Sequence, residues 1–185
     1  MRYGSKEITI PGRTLTLRSP GPEEAAAMLA FLRKACGETD FLLSYPDEVT
    51  YTEEDEAALL RRWCEAADEV MIAVFDGGRV IGTVSVMAVG GKSKVRHRAS
   101  LGITVLRELW GLGLGRILMR EAEAAARDMG FEQLELGVFS ENARAIHLYE
   151  TMGYSVYGRV PDAFRRRDGS VQQEILMAKP LPPRE

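Results

Sequence analysis

The sequence predicts a mixed α/β domain in which about seven strands form a twisted, mostly antiparallel sheet flanked by four helices. Short segments with apolar residues at alternate positions recur along the chain, and longer segments with helical spacing lie between them. Two pairs of strands are joined by glycine-containing turns, Asp76-Gly77-Gly78 and Asp168-Gly169, which indicate hairpins. Hairpins pair antiparallel strands, so the pattern is that of helices packed on a mixed sheet.

The first half of the chain is predicted to contain one strand, two helices and a hairpin. Pro22 suits the first turn of a helix, and the acidic residues Glu23 and Glu24 suit its positive end. Thr52, with Asp55 three residues later, is an N-cap pattern for the second helix. The predicted segments are a strand over 13–18, a helix over 23–35, a loop over 37–51, a helix over 52–67 and strands over 70–75 and 79–89.

The second half alternates strands and helices and ends in a hairpin. Apolar residues form one stripe along a helix predicted over 114–129, and Gly130 suits its C-cap. The other predicted segments are strands over 98–105 and 133–138, a helix over 142–152 and strands over 154–160 and 171–178.

Composition and charge narrow the class of protein. A chain of 185 residues, 45% of them hydrophobic, suits one domain over residues 1–185 with a full core. The net charge of −3 argues against nucleic-acid binding, which needs a basic face. Cys36 and Cys64 lack the spacing of a metal site or a redox pair. Without a signal peptide or a membrane-spanning segment, we expect a cytoplasmic protein that binds no metal or membrane.

The most informative segment runs from Trp110 to Arg116 and joins a predicted strand to a predicted helix. Its glycines, Gly111, Gly113 and Gly115, alternate with other residues, so backbone N–H groups can approach a ligand closely. The helix that follows directs unpaired N–H groups and its partial positive charge at the same point. The segment therefore predicts an anion site suited to a phosphate or pyrophosphate.

Two common phosphate motifs do not fit this segment. A nucleoside-triphosphate P-loop needs Gly-Lys-Ser/Thr, but Arg116 and Ile117 follow the last glycine. A dinucleotide fingerprint needs Gly-x-Gly-x-x-Gly, and its third glycine falls on Arg116 or Leu118. A purely structural glycine turn remains an alternative.

Two motifs in this order resemble the GCN5-related N-acetyltransferase (GNAT) superfamily. The family signature Arg/Gln-x-x-Gly-x-Gly/Ala stands here as residues 110–115, with Trp110 replacing the Arg/Gln and removing a side-chain donor. The family's Asn-x-x-Ala-x-x-Leu-Tyr segment, followed by Gly-Phe/Tyr, matches residues 142–154. The resemblance covers Leu15 to Met177, nearly the whole chain, and implies the acyl-CoA N-acyltransferase fold.

The resemblance implies acetyl-coenzyme A (acetyl-CoA) as the cofactor and an amine as the acceptor. The cofactor would lie between two splayed strands, with its pyrophosphate on the glycine segment and its pantetheine arm along strand 98–105. The residues implied for the cofactor are Ile103, Thr104, Val105, Trp110, Gly111, Leu112, Gly113, Leu114, Gly115, Arg116, Asn142 and Tyr149. Asn142 also suits the N-cap of the short helix, and Arg116 could equally be a solvated residue of the first helical turn.

Tyr149 is the candidate catalytic acid. It lies two helical turns after Asn142 and so projects from the same face. The resemblance implies that it faces the thioester sulfur, where a phenol can protonate the leaving thiolate. The alternative is a core aromatic residue on an apolar helix face, and its neighbour His147 is expected at the surface.

The general base is left unassigned by the sequence. Some family members place a glutamate on the strand before the glycine segment, but here that position falls on or near Ala99. His97 is a candidate base, although an exposed position at the strand's mouth explains it equally well. Other members position a neutral amine without a base.

The acceptor site is implied by resemblance to lie between the first two helices and the final hairpin. The candidate substrate residues are Phe41, Tyr45, Glu48 and Phe164. Acidic residues in the loop over 37–51 favour a cationic amine, whereas the basic run 165–167 favours an acidic acceptor or is a solvated turn. The acceptor is therefore a small-molecule, protein or peptide amine.

Two other classes of protein remain open at this stage. The missing strand carboxylate allows a non-catalytic CoA-binding or regulatory module on the same fold, and a nucleotide-binding protein of another class is a further alternative. Family members are often dimers, so a homodimer fits the resemblance.

Overall fold

The computed structural model describes residues 1–182 and contains eight strands and four helices. The strands are β1 (Lys6–Ile10), β2 (Arg13–Arg18), β3 (Glu69–Asp76), β4 (Arg79–Ala88), β5 (Arg98–Val105), β6 (Gln133–Phe139), β7 (Ser155–Arg165) and β8 (Val171–Pro180). The helices are α1 (Ala25–Glu38), α2 (Glu53–Glu65), α3 (Leu114–Asp128) and α4 (Ala143–Thr151). One sheet runs in the order β1-β2-β3-β4-β5-β6-β8-β7, and every neighbouring pair is antiparallel except β5 and β6.

The predicted fold class is confirmed, with one strand more than expected. All seven predicted strands and four predicted helices are present, and β1 is the addition. This strand lies at the sheet edge, and of its five residues only Ile10 is fully buried. Its apolar alternation is limited to Ile8 and Ile10, which is too short a pattern to predict a strand. The last hairpin is also longer than predicted, since β7 reaches Arg165.

Several predicted local signals hold the elements in place. The Thr52 hydroxyl accepts a hydrogen bond from the Asp55 amide at 3.1 Å and so caps α2. Gly130 adopts φ +83° after α3, a conformation that favours glycine, and ends that helix as predicted. Both caps fix where a helix begins or ends relative to the sheet.

The core lies on both faces of the sheet. Consecutive residues 72–75 of β3 are buried, which requires cover on both sides because side chains alternate between the faces. Both α1 and α3 pack against β4, and Leu118 and Met119 of α3 are fully buried. Within residues 1–182, no helix has both the length and the apolar composition needed to cross a membrane.

A cleft opens in the middle of the sheet where β5 and β6 separate. These two strands pair only from Arg98 with Gln133 to Ser100 with Glu135. Beyond that point β5 continues to Val105 and β6 to Phe139 without pairing to each other. The backbone edges of residues 102–105 and 136–139 therefore face a gap, and buried backbone groups of this kind need hydrogen-bond partners.

Candidate active site

The three glycines of the segment are needed for two different structural reasons. Gly111 and Gly113 have φ values of +83° and +84°, a left-handed conformation that L residues adopt only at a cost. Gly115 has another reason, because a Cβ there would lie 3.1 Å from Leu148 Cδ2. Glycine at 115 thus allows α3 and α4 to approach closely.

The segment directs a group of backbone amides outward at the start of α3. The amides concerned donate no hydrogen bond to any residue that the structure describes, and they belong to Gly111, Gly113, Leu114, Gly115 and Arg116. Unpaired amides at a helix N-terminus, together with the helix dipole, favour a bound anion. The segment therefore has the geometry of the phosphate site that the sequence predicts.

The indole of Trp110 is engaged within the protein. Its N–H donates a hydrogen bond of 2.8 Å to the Val105 carbonyl, so this donor is already used. The bond joins the end of β5 to the glycine segment. The guanidinium groups of Arg107 and Arg144 lie 5.5 and 4.9 Å from the centroid of the indole ring. Arg144, on α4, brings a second cation near the segment beside the exposed Arg116, and no spacing in the sequence indicates this.

The predicted strand residues lie at the open cleft. Ile103, Thr104 and Val105 are partly buried residues of β5 beyond its last pairing with β6. Their other edge pairs with β4, so the edge that faces β6 is free except where the Val105 carbonyl accepts from Trp110. An extended ligand could add backbone-type hydrogen bonds along this edge.

The short helix α4 positions the two predicted residues at its ends. Asn142 Oδ1 accepts a hydrogen bond of 3.2 Å from the Ala145 amide, which confirms the predicted N-cap. Tyr149 is 7% exposed, and its ring lies 6.2 Å from that of Tyr154. Among the described residues its hydroxyl has no hydrogen-bond partner. Burial raises the pKa of Tyr149 to about 12, so the phenol is protonated at neutral pH. His147 is exposed, as expected.

Three of the four predicted substrate residues line or adjoin one cavity of about 200 Å³ between the α1–α2 loop and the final hairpin. The rings of Phe139 and Phe164 stack at 3.7 Å, and Phe41 lies 5.9 Å from Phe139. Tyr45 lines the same cavity. Phe139 was not predicted, because an apolar residue at a strand end is typical of a core position.

The fourth predicted substrate residue, Glu48, pairs with the final hairpin. Arg167 donates hydrogen bonds to Asp47 at 2.8 Å and to Glu48 at 3.4 Å, and its guanidinium lies 4.0 Å from the centroid of the Tyr45 ring. The hydrogen bond from Arg167 lowers the pKa of Asp47. The Arg167 amide also donates to the Tyr45 hydroxyl at 3.1 Å. Part of the acidic signal of the loop and part of the basic signal of the hairpin are thus partners, and they tie the loop to the hairpin.

The structure also locates the groups considered for the base. Ala99 is fully buried, and its neighbour Arg98 donates two hydrogen bonds to Glu135 of β6, which lower the pKa of that carboxyl. The backbone carbonyl of His97 accepts from Glu132 and Gln133, where the parallel pairing begins. His97 lies about 20 Å along the strand from Ile103, at roughly 3.3 Å per residue.

Known proteins share both sequence and fold with this chain. The model of the acetyltransferase (GNAT) family matches residues 38–154. Streptothricin acetyltransferase of Streptomyces lavendulae is 36% identical over 72 residues, which are 39% of this chain and 38% of that protein. The chain spans well under two thirds of the length of the curated relatives it matches.

Solved structures match over a larger part of the chain. An acetyltransferase of the GNAT family from Streptococcus pneumoniae superposes with a TM-score of 0.84 and 29% identity, over 90% of this chain and 99% of that one. The protein yncA from Salmonella typhimurium, a putative acetyltransferase solved with acetyl-CoA, gives a TM-score of 0.78. It covers 92% of this chain and 96% of its own, and at 20% identity it shows the fold alone.

Proposed function

The chain belongs to the acetyltransferase (GNAT) family, and from that premise we propose that it transfers an acetyl group from acetyl-CoA to a primary amine of a small molecule, protein or peptide. The observation that carries the proposal is the set of unpaired amides at Gly111 and residues 113–116, next to the cleft between β5 and β6. The acetyl-CoA in the Salmonella structure and the acetyltransferase name of the Streptomyces relative support the same reaction.

The residues of the cleft fit acetyl-CoA chemically. The amides of the glycine segment match the charge of a pyrophosphate, with Arg116 and Arg144 as nearby cations. The open edge of residues 103–105 matches the amides of a pantetheine arm. When bound, acetyl-CoA supplies a thioester whose acetyl carbon an amine can attack.

Tyr149 would act on the sulfur side of the reaction. Its pKa of about 12 keeps the hydroxyl protonated, so it can donate a hydrogen bond and a proton as negative charge develops on the sulfur. The same desolvation that raises the pKa of Tyr149 would also raise the proton affinity of a thiolate beside it. The hydroxyl is free for this role because no described residue accepts its hydrogen bond.

We further infer that residues 1–185 act as one domain in the cytoplasm. Both cysteines, Cys36 and Cys64, are unpaired thiols, which suits a reducing compartment.

The experiment is a thiol-release assay with acetyl-CoA and a panel of amines: streptothricin, L-amino acids, spermidine and short peptides with free N-termini. We expect turnover with at least one class of amine. Tyr149→Phe should lower kcat by about 100-fold, with an unchanged Kd for acetyl-CoA. Tyr51→Phe, at an exposed tyrosine, is the matched control. Acetyl-CoA binding without turnover across the panel would indicate a non-catalytic module instead, and full activity in Tyr149→Phe would exclude this tyrosine as the acid.

A further inference from the structure

The carboxylate of Glu174 lies beside the cleft and is not used by any contact described above. We propose that Glu174 binds the ammonium group of the acceptor and takes a proton from it, and that the acceptor is a primary amine on an apolar arm. This inference rests on the proposed acetyl transfer. It also supplies the proton acceptor that position 99 lacks.

The position of Glu174 follows from the register of the sheet. Glu174 of β8 pairs with Phe139 of β6, and Leu176 pairs with Gly137. Gly137 lies two residues beyond Glu135, the last residue of β6 that pairs with β5. A Cβ at 137 would overlap the Glu174 carboxylate, so this side chain lies across the backbone of Gly137. The glycine thus leaves room for a carboxylate on the wall of the cleft.

Glu174 is uncommitted, unlike several other carboxylates around this end of the sheet. Three others are held by arginines: Glu135 by Arg98, Glu141 by Arg166 and Glu48 by Arg167. Glu174 has no ion pair or hydrogen bond with any residue in the described part of the chain. A cationic acceptor would therefore displace no existing ion pair of Glu174. The cations that line the neighbouring cavity are Arg165 and Arg166, and Arg166 pairs with Glu141. Partial burial strengthens that attraction relative to an exposed carboxylate such as Asp40.

The surroundings of Glu174 define the rest of the ligand. Phe139, its partner across the strands, stacks on Phe164, and Phe41 lies against the same ring, so an apolar arm would find aromatic contacts. Gln172 lies two residues before Glu174 and thus projects to the same face of β8. It is 4% exposed, yet neither atom of its side-chain amide has a partner within residues 1–182. Buried amides are normally paired, so an unpaired one is an unusual feature of this part of β8.

The reaction balances with Glu174 in this role. The carboxylate takes one proton from the ammonium, and the neutral nitrogen forms a bond to the acetyl carbon while the carbon–sulfur bond breaks. The sulfur leaves with the bonding electron pair and receives a proton from Tyr149. The second proton lost by the nitrogen passes through water to restore the tyrosine. The products are an N-acetyl amide and a free thiol, and Glu174 returns its proton to solvent.

The first test is the pH profile of Glu174→Gln with the best amine of the panel. At pH 7, where an alkylamine is almost entirely protonated, we expect kcat/KM to fall about 100-fold. At pH 9.5 about a tenth of the amine is already neutral in solution, so the loss should shrink to less than about 10-fold. Glu132→Gln, at an exposed carboxylate before β6, should match the wild type. A loss that is equal at both pH values, or a larger loss in Asp40→Asn, would overturn the proposal.

The second test does not depend on turnover. Calorimetry with phenethylamine and the CoA-saturated protein measures binding of an ammonium on an aromatic arm. We expect wild-type and Glu132→Gln proteins to bind it and Glu174→Gln to bind it at least 10-fold more weakly. Equal binding by all three, or no binding by the wild type, would reject the role of Glu174. Failure to bind CoA itself would instead reject the proposed function.

Discussion

The replacement of Gly113 by alanine separates the ligand role of the glycine segment from its role in the fold. Gly113 has φ +84°, and no atom lies within 4 Å of a Cβ built there. The Gly113→Ala variant therefore meets no clash in the free protein, and its folding cost is the backbone strain of a left-handed L residue, roughly 1–2 kcal/mol. For a domain of this size that lowers Tm by about 2–8 °C.

The effect on acetyl-CoA should be larger than the strain alone explains. The added methyl group would point into open space next to the N–H groups of residue 113 itself and of Leu114, which have no partner in the described protein. Losing one hydrogen bond to a charged group costs about 1.5–3 kcal/mol, so Kd should rise about 10- to 150-fold.

Gly130 provides the matched control at the other end of α3. Its φ is +83°, and a Cβ there also meets no atom within 4 Å. Gly130→Ala should therefore lower Tm by a similar amount without changing the affinity for acetyl-CoA. Thermal unfolding and calorimetric titration of the two variants check both expectations. Equal loss of affinity in both variants, or no loss in Gly113→Ala, would mean that the glycine segment does not bind the cofactor.

Three further predictions follow from contacts in and around the site. Trp110→Phe removes the donor to Val105, so thermal unfolding should show a loss of about 1 kcal/mol; an unchanged Tm would mean that this bond is not stabilising. Arg167→Ala removes an exposed ion pair, so it should change the free energy of unfolding by less than about 1 kcal/mol. It should raise KM for the amine but not for acetyl-CoA, because Arg167 joins the α1–α2 loop to the final hairpin at the acceptor cavity. An unchanged KM for the amine would argue against that role. Because Arg98 lowers the pKa of Glu135, the stabilisation from this carboxylate is complete above the unfolded pKa of about 4.3 and is lost as pH falls through the folded value. In urea unfolding from pH 7 to 3, the free energy of unfolding should thus fall more steeply with pH for the wild type than for Glu135→Gln. The same pH dependence in both proteins would contradict this expectation.

Most of the fold follows from local signals in the sequence. Glycine turns at Gly77 and Gly169, the cap at Thr52 and the helix end at Gly130 each fix an element without reference to distant residues. The strand β1 escaped prediction because its polar residues face solvent at the sheet edge. An edge strand gains its stability from pairing with β2, which no local pattern reveals.

The part of the candidate site that lies in one continuous segment could be predicted from the sequence. The part that the fold assembles from distant residues could not. The glycine segment is contiguous, so its amides could be anticipated from spacing alone. The position of Glu174 across Gly137 depends on the register of β6 and β8, and the contact of Arg144 with Trp110 depends on how α4 packs. The pairing of Arg167 with Asp47 joins residues 120 positions apart in the chain, so the sequence could not show that these two charges neutralise each other.

The central claim is that backbone amides of the glycine segment hold the phosphate groups of acetyl-CoA. Amide correlation spectra of the ¹⁵N-labelled protein, recorded during titration with acetyl-CoA, observe these groups directly. We expect the amides of Gly111, Gly113, Gly115 and Arg116 to shift strongly and to saturate together. Saturable binding that leaves these amides unmoved while others shift would contradict it.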